Sequence, residues 1–175
     1  MEPWKVILLI LVILLLVYVT AVFIVLTYAF EFRKKLHNRL DTLSIILLAK
    51  KDSLIQLASL YEQNGIELTF DDLDKLSNIK GVTLEKREAA KVRDFNKELN
   101  YLEQRLYFLA LYNEKIKETI EYKKILTALK ETNNLFAKCS VAYNYDVLGY
   151  NYWSSINFAF LICYLLRFRK KEVIS

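Results

Sequence analysis

The chain has 175 residues with only 3 Gly and 1 Pro. That is one domain's length plus appendages, with too few breakers for the many turns of a multi-stranded sheet. A net charge of +5, from 25 basic and 20 acidic residues interspersed along the chain, is a solubility pattern rather than a nucleic-acid footprint. Two cysteines, Cys139 and Cys163, make no disulfide framework and read as reduced thiols in apolar helical settings.

The hydrophobic content is concentrated at the N-terminus. Residues 6–30 carry no charge, and beyond Tyr18 and Tyr28 their only hydroxyls are Thr20 and Thr27. As a helix this run would extend about 37 Å, more than the ~30 Å of a bilayer's hydrocarbon, so it must tilt or reach into the headgroups. A cleaved signal would have an apolar region of about 7–15 residues followed by small residues. This run ends instead in Tyr28-Ala29-Phe30-Glu31-Phe32, which predicts a retained anchor. Trp4, Tyr28, Phe30 and Phe32 are spaced for the two interfaces. Lys5 is the sole basic side chain before the run, whereas Arg33, Lys34, Lys35 and Arg39 follow it. The positive-inside bias then places the N-terminus outside and the remainder in the cytoplasm, a single-pass protein of the cell membrane. Three regions result: an anchor over 1–30, a helical bundle domain over 31–152, and an apolar then basic C-terminal segment over 153–175.

The first helix is expected to run on past the anchor. Leu36, Leu40, Leu43, Leu47, Leu54, Leu57 and Tyr61 recur at helical period, with Lys50 the one interruption, and Asn64-Gly65 supplies a stop. A short second helix is predicted over 70–78. Asp71, Asp72 and Asp74 crowd its start, where carboxylates favour the positive end of the helix dipole; a metal site is the outside reading of the same acids. The third helix is predicted to begin near Thr83, a cap residue, and carries Val92, Phe95, Leu99, Leu102, Leu106 and Leu109 on one seam. Asn113 marks the next turn. The fourth helix is predicted over 116–152, with Leu129, Asn133, Phe136, Ser140, Tyr143, Val147 and Tyr150 as its seam. These elements define an all-α fold: an N-terminal transmembrane helix continuing into an antiparallel helical bundle of three to four helices.

Residues 156–166 are apolar except Asn157, and Arg167, Arg169, Lys170 and Lys171 follow. The run is too short to span as a helix. It reads either as a core helix or as an interfacial helix whose basic tail meets anionic lipid. If the short second helix counts as a full pass, the fourth returns to the membrane; if not, it ends far from it.

The fourth helix also holds a distinctive pattern, Tyr143-Asn144-x-x-Val147-x-x-Tyr150-Asn151, preceded by Leu129 and Thr132-Asn133-Asn134. Residues seven apart share a helix face, so the tyrosines and Val147 form one stripe with both asparagines beside it. Buried Tyr hydroxyls and Asn amides need partners, expected on neighbouring helices, and so can fix the bundle's register. The alternative is a partly exposed docking face. The pattern resembles the C-terminal signature of the LemA family, bacterial proteins with an N-terminal membrane helix and a helical-bundle domain. Leu129, Thr132, Asn134, Tyr143, Asn144, Val147, Tyr150 and Asn151 match it, and Lys50, Lys51, Leu54 and Ile55 echo that family's basic pair before Leu-Ile. Asn133 stands where that family has Glu, Ser140 where it has Arg, Asn113 where it has Pro, and Trp153-Ser154-Ser155 where it has Phe-Pro-Ser. The resemblance covers most of the chain in layout and about a quarter in motif. It implies no catalytic residue and no cofactor.

Nothing in the sequence converges on catalysis. The single histidine, His37, lies among basic residues, and the chain has no glycine-rich phosphate loop, His-Glu-x-x-His or Cys-x-x-Cys. The expectation is a non-catalytic scaffold or adaptor at the membrane, with an unidentified protein partner, no nucleic acid, no cofactor and scope for homo-oligomers. The alternative is a lipid-binding, membrane-organising protein acting through Arg167, Arg169, Lys170 and Lys171.

Overall fold

A computed structural model describes residues 3–82, 88–156, 160–166 and 168–174. Among the described residues all regular structure is helical: α1 (Pro3–Gln63), α2 (Phe70–Lys80), α3 (Ala89–Leu111), α4 (Glu114–Lys117), α5 (Ile120–Ser154) and α6 (Phe160–Leu165). The chain forms two compact units. One comprises His37–Asn144 with Val173–Ser175, the other Met1–Leu36 with Tyr145–Glu172, so α1 and α5 contribute to both.

In the larger unit α1 stops where Asn64-Gly65 predicts, with Gly65 at φ 72°, a conformation that costs a side-chain-bearing residue more. Thr69 caps α2: its hydroxyl accepts the Asp72 N–H at 3.3 Å and donates to the Asp72 carboxylate. The expected start of the third helix at Thr83 lies outside the described residues. The predicted fourth helix is divided, because Thr119 intervenes between α4 and α5. The Thr119 hydroxyl donates to Ile116 O at 2.7 Å and accepts the Tyr122 N–H at 3.3 Å, ending one helix and capping the next.

The seams face inward. Leu43, Leu47, Leu54, Leu57 and Tyr61 of α1, Val92, Phe95, Leu99, Leu102 and Leu106 of α3, and Leu129 and Tyr143 of α5 are all buried. Each such aliphatic side chain contributes about 1.5–3 kcal/mol on leaving water. Leu109 is only half-buried and Ala110 takes the buried place. On α1 the Tyr61 hydroxyl donates to Leu106 O at 2.8 Å, and burial pushes its pKa above the ordinary tyrosine value.

The short α2 packs against α3. Asp72 meets Arg105, and Lys75 lies 3.8 Å over the Tyr101 ring, so α2 and α3 run antiparallel. In the smaller unit Tyr28 stacks on Trp153 with centroids 4.6 Å apart. A Cβ added at Gly149 would lie 2.5 Å from the Phe32 ring, so the absent side chain is what lets that ring approach.

Also in this unit, α1 is exposed on every side from Pro3 to Thr20. From Val22 onward one stripe is covered: Val22, Val25 and Ala29 are buried at three- and four-residue spacing, and Cys163 of α6 is buried too. The N–H of Phe168 bonds to Cys163 O at 2.9 Å and closes α6. The chain then continues without helix or turn through 168–174. Within the C-terminal run read as a core or an interfacial helix, the described residues hold the six-residue helix α6, with Cys163 buried.

Candidate functional site

The Tyr/Asn stripe of α5 divides its residues between two environments. Tyr143, Val147 and Tyr150 are buried, at 0–1% exposure. Asn144 and Asn151 are half-buried, and their partners are not on neighbouring helices as expected but on the tail. In the larger unit, Asn144 Nδ2 donates to Ile174 O at 2.7 Å while the Ile174 N–H donates to Asn144 Oδ1 at 2.8 Å. In the smaller unit, Asn151 Nδ2 donates to Lys171 O at 3.0 Å while the Lys171 N–H donates to Asn151 Oδ1 at 2.9 Å. A carboxamide carries one acceptor and a donor pair on a flat group, so it satisfies both polar groups of one residue's backbone at once. Each asparagine is such a two-point clamp.

The tail's apolar residues point inward: Ile174 is 2% and Phe168 9% exposed. Phe168 meets Phe30 edge-on at 5.0 Å and Tyr150 at 6.0 Å, and the Arg33 guanidinium lies 5.7 Å from its ring centre. Arg169, Lys170 and Lys171 are exposed; Arg167 lies outside the described residues.

A second polar constellation occupies the larger unit's interior. Lys50, the interruption in the first seam, is 1% exposed. Its ammonium donates to Asn100 Oδ1 and to Asn133 Oδ1, the latter at 2.7 Å, and pairs with Glu103 Oε2. Asn133 in turn donates to Glu103 Oε1 at 2.8 Å. Three donors thus meet three acceptors, the condition under which a buried cation is tolerated. Two polar breaks in two apolar seams, Lys50 and Asn133, are therefore one feature. Beside the cluster lies a cleft of about 330 Å³ bordered by Leu57, Asn100, Glu103, Tyr107, Tyr122 and Asn133, among others. Its rim combines amide, carboxylate and tyrosine groups with leucine side chains.

The acids at the start of α2 do not converge. Asp71 pairs with Lys75 at 2.9 Å, Asp74 accepts from Asn78, and Asp72 turns inward to Arg105 at 3.2 Å. Burial works against the Asp72 carboxylate, but hydrogen bonds from Thr69 and Arg105 outweigh it and hold its pKa below the ordinary value. Among the described residues no group of three or more His, Cys, Asp or Glu could hold a metal.

The remaining motif positions are local. Leu129 is buried, Thr132 donates to Leu129 O at 2.9 Å, and Asn134 is exposed. His37 is exposed, and both cysteines are free thiols. Sequence reasoning missed Phe168 and Ile174, the apolar ends of the tail, and Asn100, Glu103 and Arg105 of α3. No family model matches the chain, and neither a curated protein nor a solved structure matches it.

Proposed function

We propose that this protein is a single-pass membrane tether: a non-catalytic helical scaffold, akin to the LemA family, that holds a protein partner at the cytoplasmic face of a bacterial membrane. The carrying observation is the length of α1 left bare. Residues 3–20 are exposed on all sides and advance about 27 Å as a helix, close to the ~30 Å of bilayer hydrocarbon. That helix is long and apolar enough to cross a membrane. The covered stripe at Val22, Val25 and Ala29 then sits at the interface, with α6, six residues long, too short to cross.

Orientation rests on the basic residues after the span, and the fold adds to them. Phe168 beside Arg33 brings Arg169, Lys170 and Lys171 to the same end as Arg33, Lys34 and Lys35. This concentration of cations favours a second reading, in which the collar binds anionic headgroups directly. Scaffold and lipid contact separate by salt, because headgroup attraction fades within a Debye length.

The test is a cysteine-free chain carrying Gln63→Cys, probed on intact cells with a membrane-impermeant thiol reagent and then sized after gentle extraction. Protection until lysis, with a complex larger than the monomer, is the expected result. Labelling of intact cells would overturn the orientation. Monomer alone in native membranes, or substrate turnover by purified protein, would end the scaffold reading.

A further inference from the structure

We propose that the cleft between α3 and α5 in the larger unit binds a small uncharged molecule with a carboxamide-like head, one that presents a hydrogen-bond acceptor and a donor together on a short apolar stem.

Three observations carry it. First, two helices each turn a stripe to one space. Asn100, Glu103 and Tyr107 of α3 border it at three- and four-residue spacing, and Tyr122, Leu129 and Asn133 of α5 border it at spacings that also share a helix face. Its volume of about 330 Å³ lies at the low end of small-molecule sites, ~300–1,000 Å³, and fits a head group on a short stem. Second, hydrogen-bonding capacity is left over there. Lys50 spends its three donors on Asn100 Oδ1, Asn133 Oδ1 and Glu103 Oε2, and Asn133 Nδ2 donates to Glu103 Oε1. Asn100 Nδ2 has no partner among the described residues. Tyr122 is 5% exposed. Its hydroxyl has no such partner either and is not sealed from solvent, so the cleft it borders is its opening. Burial, and after it the neighbouring Tyr107 phenol, push its pKa up and keep the hydroxyl a donor. The Glu103 side chain, 24% exposed, retains acceptor capacity. Third, the charges already balance. Among the described residues Glu103 is the only charged one bordering the cleft, and the buried Lys50 pairs with it. A charged ligand would carry one unmatched charge out of water, whereas a neutral head carries none.

A carboxamide matches what is left over. Its C=O accepts from Asn100 and Tyr122 and its N–H donates to Glu103, while the buried Leu57 and Leu129 give an apolar stem a wall against which to leave water. The same head group exists as the side chain of glutamine, so it can arrive free or on a peptide; the small volume favours the free molecule. The site lies wholly within the larger unit and does not rest on the tether reading, so the two fail separately.

The experiment titrates the full chain in detergent with three probes that share one stem, pentanamide, pentanoate and pentylammonium, followed by ligand-observed NMR against empty micelles. The expected result is saturable binding of pentanamide, with both charged probes weaker by about ten-fold or more. This comparison needs no variant, so a folding defect cannot mimic it. Tyr122→Phe then removes only the unpartnered hydroxyl. It should weaken pentanamide by about three-fold or more while the circular-dichroism melt stays at or above the parent's. No saturable binding of pentanamide, or equal binding of the three heads, overturns the site. Tighter binding of either charged probe overturns the charge argument and the ligand class with it. Unchanged pentanamide affinity in Tyr122→Phe overturns the placing of the head at that hydroxyl. A capped tripeptide with a central glutamine separates the two sources: weaker binding than pentanamide supports the free molecule, and tighter binding overturns it in favour of a partner's side chain.

Discussion

Replacing Lys50 with Met isolates the electrostatic content of the bundle's interior. Methionine keeps most of the unbranched stem, so packing against the seam changes little. What disappears is an ammonium 1% exposed together with three bonds, to Asn100, Asn133 and Glu103. Removing one member of a buried ion pair costs about 3–5 kcal/mol, chiefly because its partner is left uncompensated. The Glu103 side chain is 24% exposed and can recover some hydration, which lowers the expectation to about 2–3 kcal/mol. At about 2–4 °C per kcal/mol for a chain of this size, the melting temperature should fall by roughly 4–12 °C. The assay is the helical circular-dichroism signal of the full chain in detergent against temperature. Adding Glu103→Gln to Lys50→Met removes the stranded charge, so the double variant should be more stable than Lys50→Met alone. A Lys50→Met melt within a degree of the parent would refute the reasoning. So would strict additivity in the double-mutant cycle.

Asp72 predicts an acid limb. Its folded pKa is depressed, so its contribution is fully present above the ordinary carboxylate value of about 3.9 and is lost as pH falls through the lower folded value. Asp72→Asn should cost about 1–2 kcal/mol at neutral pH and flatten that limb, read from melts between pH 7 and pH 3. Gly149→Val puts a branched side chain where a single Cβ already lies 2.5 Å from Phe32. A loss of about 1–3 kcal/mol is expected, and pairing it with Phe32→Ala should restore part of it in the same thermal assay.

The all-α class, the seams and the stop at Gly65 were legible because each rests on local signals: period, caps and breakers. Lys50 and Asn133 were visible only as blemishes in two separate seams. Their mutual satisfaction depends on which residues meet across 83 positions of chain, and period alone does not carry that. Thr119 was passed over because a capping threonine and a solvent-facing threonine look alike until a helix is seen to end there. The tail was the least legible element. A run of apolar residues followed by cations reads equally as a core helix or as lipid contact, and neither reading singles out the buried Phe168 and Ile174. The clue was present in the asparagines: two carboxamides two turns apart need backbone that is not already hydrogen-bonded, and a non-helical tail is where a mostly helical chain has it.

The clamps also separate grip from content. The hydrogen bonds of the Asn144 and Asn151 carboxamides to the tail go to main-chain atoms, so they do not read side-chain identity. Lys171, held by Asn151 through its backbone alone and with its side chain exposed, can then change in charge, size or modification with that hold unchanged, provided no proline removes its N–H. Natural variation should therefore be wide at Lys171 and narrow at the buried Phe168 and Ile174, so that a surface message can evolve there without renegotiating the attachment.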